Sequence, residues 1–199
     1  MKKCTTALFK TRSKRVYIIL LVICCTVCSA TSAQNIPSPK DIVIEYCRLD
    51  SGGARISSAG DKSIRQLYSW KFEPGWDSVI IISGFTVKEV YVRDDSAAIR
   101  VDYDVLGILG GHDWIPADTD DKIYAPLMEK GKTVNFRLIK TNNVWKINSP
   151  VVHPHVSIGS MLKHLDRTRE GRIGRENDYF AEAYSEMQKL FNKIRKKHP

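Results

Sequence analysis

The chain has 199 residues, 43% hydrophobic and 27% charged, with a formal net charge of +9 at pH 7. The positive balance does not argue for a nucleic-acid partner. Six basic residues (Lys2, Lys3, Lys10, Arg12, Lys14, Arg15) sit at the extreme N-terminus, and the remaining excess lies beyond Leu162, so the central domain is near neutral.

Residues 1–33 follow the order of a secretory signal: the basic cluster, an apolar run over 16–27, then Ser29-Ala30-Thr31-Ser32-Ala33 with cleavage expected after Ala33. The apolar core is short for a spanning helix, which needs about 18–20 residues. A retained single-pass anchor over 16–33 is the alternative, and it is the one route to a membrane. The expected location is therefore secreted or periplasmic. Removing the segment leaves 25 basic against 22 acidic residues and takes four of the five cysteines with it. The remaining Cys47 falls on a helix face with Ile42, Val43 and Tyr46, so a buried, unreactive thiol is expected.

Residues 34–165 read as one α+β domain. Ser38, Pro39 and Asp41 have the spacing of a capping box with proline in the first turn, opening a helix that Asp50-Ser51-Gly52-Gly53 ends. A second short helix is expected over 61–68. Trp70, Phe72 and Trp76 then form an aromatic turn, either covering an open end of the sheet or gripping a ligand. Strands follow over 79–93, 97–106, 133–140 and 144–148. In the second, Ile99, Val101, Tyr103 and Val105 alternate with Arg100, Asp102 and Asp104, giving one apolar and one charged face. In the first, Phe85 and Val87 are out of phase with Val90 and Val92. That change predicts a bulge at Lys88-Glu89 and a bent sheet, with Ser83-Gly84 a second bend point. Asn142-Asn143 suits a two-residue hairpin turn pairing Leu138 with Ile147. Residues 107–131 are a long excursion with one helical turn near Tyr124. Residues 150–154 break the last strand, and 156–165 form a short helix. A charged linker spans 166–176. Residues 177–199 form an amphipathic helix whose stripe of Phe180, Tyr184, Met187, Phe191 and Ile194 would dock on its own domain or make a homodimer.

Chemistry-bearing residues are few. His112-Asp113 is the one adjacent acid–base pair, and Tyr103 is the polar group on the predicted inner face; these three are the candidate catalytic residues. Asp118, Asp120 and Asp121 lack the spacing of a calcium loop, and His153 and His155 lack further metal ligands, so no metal or cofactor is expected.

A capped helix, a second helix and a bent long-strand meander ending in Val144-Trp145-Lys146-Ile147 resemble the nuclear transport factor 2-like superfamily, which includes ketosteroid-isomerase-like and polyketide-cyclase-like enzymes. Tyr46-Cys47-Arg48-Leu49-Asp50, Gly53-Ala54-Arg55 and Ile82-Ser83-Gly84-Phe85 resemble its uncharacterised secreted bacterial branch. The resemblance implies a cone: a curled antiparallel sheet wrapped around the N-terminal helix, with a pocket at its wide end, here followed by an extra C-terminal helix. Tyr46, Trp70, Trp76, Phe85, Tyr103, Trp114, Phe136 and Trp145 would then contact an apolar ligand or partner protein. Three readings stay open: a secreted, non-catalytic binding or assembly module; an isomerase, dehydratase or cyclase using Tyr103 with His112 or Asp113; and a membrane-anchored envelope subunit.

Overall fold

The computed structural model describes residues 36–57, 62–170 and 180–197. The expected signal segment over 1–33 and residues 171–176 of the expected linker lie outside the described residues. Among these, no helix is long and apolar enough to cross a membrane.

Helix α1, Pro39–Ser51, begins as its sequence requires. The Ser38 hydroxyl accepts from the Asp41 backbone N–H at 3.2 Å, while the Ser38 N–H donates to the Asp41 carboxylate at 3.0 Å. Its buried face comprises Ile42, Val43, Tyr46, Cys47 and, continuing the same stripe, Asp50. Gly53, at φ +88°, turns the chain away in a conformation open to glycine at little cost.

The expected second helix is only one turn, α2 (Lys62–Arg65). The residues after it are drawn to a sheet edge instead. Leu67 C=O accepts from Ile147 N–H at 2.8 Å, and Ser69 N–H donates to Ile147 C=O at 2.9 Å. Those bonds satisfy an edge strand that a longer helix would leave open.

Six strands among the described residues make a strongly curled half-barrel: β1 (Ser78–Arg93), β2 (Ser96–Gly110), β3 (Asp113–Pro116), β4 (Thr133–Thr141), β5 (Val144–Ser149) and β6 (His155–Ser157). The order is β5-β4-β2-β1-β6, with β3 also paired to β2; only β6 on β1 is parallel. The ladder of β1 on β2 shifts register at three places: between Ile82 and Phe85 and between Val87 and Glu89, the two bend points read from the sequence, and between Ile81 and Ile82, which was not expected. Leu138 pairs with Ile147 across the Asn142-Asn143 turn, both asparagines having positive φ.

The excursion over 107–131 is more ordered than expected. β2 continues to Gly110, and β3 returns against it, pairing Leu109 with Trp114. A glycine is required at 107, where a Cβ would collide with the Ile115 carbonyl and the Trp114 ring. Asp121 accepts from the N–H groups of Ile123 and Tyr124, both at 2.8 Å, ahead of helix α3, Ala125–Lys132. The helix predicted over 156–165 also differs. Residues His155–Ser157 are claimed by β1 as a parallel strand, and α4 (Ile158–Glu170) takes in the first part of the predicted linker.

Two cores result. Inside the curl, α1 packs Ile42, Val43, Tyr46 and Cys47 against Ile99, Val101, Tyr103, Phe136, Leu138 and Ile147. Outside it, Ile81, Leu109 and Val156 meet Met161, Leu162 and Leu165 of α4. Helix α5 (Ala181–Lys197) joins this second core through Ala183 and Met187, with Phe180, Tyr184, Leu190 and Phe191 alongside. Each fully buried aliphatic or aromatic side chain contributes roughly 1.5–3 kcal/mol.

Candidate functional site

The most unusual chemistry lies where α1 ends. Asp50 is 1% exposed, and the Arg55 side chain likewise. Charges are kept this deep only when hydrogen-bonded and paired. Arg55 donates through Nε and Nη2 to Glu73 Oε1, through Nη1 to Tyr46 Oη at 2.9 Å and Asp50 Oδ2 at 3.4 Å, and through Nη2 to the Val152 carbonyl at 2.7 Å. Glu73 also accepts from the indole N–H groups of Trp70 at 3.1 Å and Trp76 at 3.0 Å. Trp76 lies over the guanidinium, 5.3 Å from ring centre to Cζ. One arginine thereby ties the end of α1, the aromatic turn and the segment between β5 and β6 into a single unit.

The electrostatics follow from burial and pairing. Burial raises the Asp50 carboxyl to about 6, partly offset by Arg55 and by the His155 N–H at 3.0 Å. At Glu73 burial also opposes the charge, but Arg55 and the two indoles outweigh it and hold the carboxyl below its usual range. Burial works against the Arg55 charge, and Asp50, Tyr46 and Glu73 reverse that, so the guanidinium stays fully charged.

Beside this unit lies a neutral cluster. Tyr103 Oη and Cys47 Sγ are 3.1 Å apart, and the Tyr103 ring stacks on His155 at 4.1 Å between centroids. His155 Nε2 faces the Gly131 carbonyl at 3.0 Å, which fixes the proton on that nitrogen. Its Nδ1 and the Asp50 Oδ1 make no hydrogen bond among the described residues. Burial lowers His155 to about 4, raises Cys47 to about 12 and raises the Tyr103 phenol. At neutral pH the trio is uncharged and inert as base or nucleophile.

The candidate catalytic residues are not brought together. Gly110 lies seven residues beyond Tyr103 on β2, a contour of roughly 23 Å at the rise of a strand along a stretch that also shifts register. His112 and Asp113 lie beyond it still, at the β2–β3 turn, where the His112 ring meets Phe180. Asp102 faces outward, accepting from Arg100 at 3.1 Å and Thr133 at 3.0 Å. His153 packs on Trp76 and His155 on Tyr103, so the two histidines do not converge.

No family model matches the chain, and no curated protein or solved structure matches it.

The aromatic set expected at an apolar pocket divides by location. Tyr46, Phe136, Tyr103 and Trp145 are buried core, and Phe85 tilts against Tyr103 from a half-buried position. Trp114 belongs to the outer core, and Trp70 stacks on Tyr68 at 4.0 Å. Phe72 covers nothing, being 85% exposed. Only Trp76 lines the principal cleft, a space of about 640 Å³ on the outer side of the sheet. Arg55, Glu73, Val79, Leu109, Met161, His164 and Leu165 line it with Trp76. Sequence reasoning passed over Asp50, Arg55 and Glu73, and weighed His155 only as a metal ligand. The available signal was Asp50 on the apolar stripe of α1, one turn after Tyr46 and Cys47, with an arginine five residues on.

Proposed function

We propose that the chain is an exported, non-catalytic binding or assembly module on a nuclear transport factor 2-like cone, and that its ligand sits in the outer cleft beside Trp76. The observation that carries this reading is the separation of Tyr103 from His112 and Asp113, with Tyr103 locked in a neutral buried cluster. An isomerase or cyclase needs its base within hydrogen-bond reach of the proton it moves. The curled half-barrel is consistent with the cone and the family likeness: its inner face is filled by packing against α1, leaving the cleft as a place of matched size for a small molecule. Its lining is mixed, with the apolar faces of Trp76, Val79, Leu109 and Met161 beside polar Glu73 and His164. An amphipathic ligand therefore fits better than the wholly apolar one expected from an empty cone. Export rests on residues 1–33.

Native mass spectrometry of the purified protein tests the reading. A co-purifying small molecule is expected, lost in Trp76→Ala and retained in Tyr103→Phe and His112→Ala. Substrate turnover abolished by Tyr103→Phe or His112→Ala would establish the enzyme instead.

A further inference from the structure

β1 is the longest strand of the sheet, yet only its first part is paired on both sides. Its partner β6 covers Ile80, Ile81 and Ile82 and stops. From Phe85 to Arg93, β1 pairs with β2 on one side and with no strand among the described residues on the other. Such an edge presents a row of backbone donors and acceptors ready to accept another strand. Beside exposed Thr86, Lys88 and Arg93 it also carries an exposed apolar run. Val90, Tyr91 and Val92 are consecutive and exposed by 43%, 61% and 49%.

The bulge decides what fits. Phe85, Val87, Val90 and Val92 lie opposite Tyr103, Val101, Ile99 and Ala97, all buried, so these four share the concave face. Thr86 and Tyr91 lie opposite Asp102 and Ala98 and share the convex face. The facing pattern is thus a palindrome centred between Lys88 and Glu89. In an unbulged strand, an axis between two residues would set inward positions against outward ones. Here that axis matches every pair: Phe85 with Val92, Thr86 with Tyr91, Val87 with Val90. At its centre the axis sets position 88 against position 89, a lysine against a glutamate in the sequence. The neighbouring registers set Lys88 against Lys88 or Glu89 against Glu89, and like charges directly opposite are destabilising.

We propose that two copies of this chain associate edge to edge through β1, antiparallel about a two-fold axis between Lys88 and Glu89, joining the two half-barrels into one continuous sheet. A closed two-fold arrangement uses the same surface on both copies and leaves no free β1 edge.

Sedimentation velocity over a concentration series tests this. The wild-type protein is expected to dimerise. Lys88→Glu should raise the dimer dissociation constant by about tenfold or more, since both central pairs become like-charged. The double exchange Lys88→Glu/Glu89→Lys should restore it. In the wild type, amide exchange at residues 84–92 should slow as concentration rises. A monomer throughout, a dimer indifferent to Lys88→Glu, or a failure of the exchange to restore association would each overturn the proposal.

Discussion

Asp50 and His155 touch through one backbone hydrogen bond, and their proton equilibria move in opposite directions. The Asp50 carboxyl rises from 3.8 to about 6 on folding, so its contribution is complete below pH 3.8 and is lost as pH rises through 6. The His155 imidazole falls from 6.5 to about 4, so its contribution is complete above pH 6.5 and is lost as pH falls through 4. At about 1.4 kcal/mol for each tenfold change in proton affinity, each amounts to ~3 kcal/mol. The two nearly cancel between pH 6.5 and 4. Asp50→Asn should expose the histidine's slope, giving a melting temperature that drops more steeply than wild type on acidification. His155→Gln should show the reverse tendency. Parallel pH profiles for both variants and the wild type would refute the linkage. Cys47 supplies a simpler check at the same scale. At 1% exposure and with its thiol pushed up to about 12, it should resist a thiol reagent at pH 7 until denaturant is added. Rapid labelling of the native protein would contradict its placement.

At the level of the elements, what was legible in the sequence was whatever local pattern decides. The capping box of α1, the period-two faces of β2 and β4, the asparagine turn and the phase break in β1 all have causes within a few residues. The short strands β3 and β6 lack such a pattern. β6 is held by β1, remote in sequence, while β3 folds straight back on the end of β2, and three or four residues carry too little period to announce themselves. The arginine network was hidden as β6 was: Asp50 resembles a helix terminator until Arg55 and Glu73 fold onto it. Face assignment is testable through the strands. Trp145→Ala, at a buried position, should cost roughly 3–5 kcal/mol in denaturant unfolding, whereas Arg100→Ala on the charged face should cost little. Equal midpoints would mean that the faces are reversed. Gly107→Ala tests the unannounced β3. An added Cβ reaches Trp114 Cη2 at 2.5 Å and collides with the strand behind it, so roughly 1–3 kcal/mol should be lost. An unchanged midpoint would show that β3 does not pack there.

Across the whole molecule, the sheet separates two cores, and the outer one depends on the end of the chain. The apolar stripe of the terminal helix was evident from its spacing, but its destination was not: its own domain and a second subunit offer the same chemistry. The fold places Met187 at 0% exposure and Ala183 at 2%, against a surface made by Leu109, Met161, Leu162 and Leu165. Ile194, from the same stripe, lies near the outer end and is only half-buried. Removing the helix would return that surface to water at about 25 cal/mol per Å² of apolar area. Met187 anchors it, so Met187→Ala should cost roughly 2–5 kcal/mol, the range for emptying a buried methionine site. Lys189→Ala, on the exposed side, should stay within about 0.5 kcal/mol. For a domain of this size each kcal/mol shifts the melting temperature by roughly 2–4 °C, so the two variants should be clearly resolved by calorimetry. Truncation after Glu170 should lower it at least as far as Met187→Ala, because it removes Ala183 and the flanking aromatics as well. The protein's mass in solution should be unaffected by that truncation, since the β1 edge lies on a different part of the sheet. A truncated chain that melts with the full one would mean that the helix contributes nothing to the outer core.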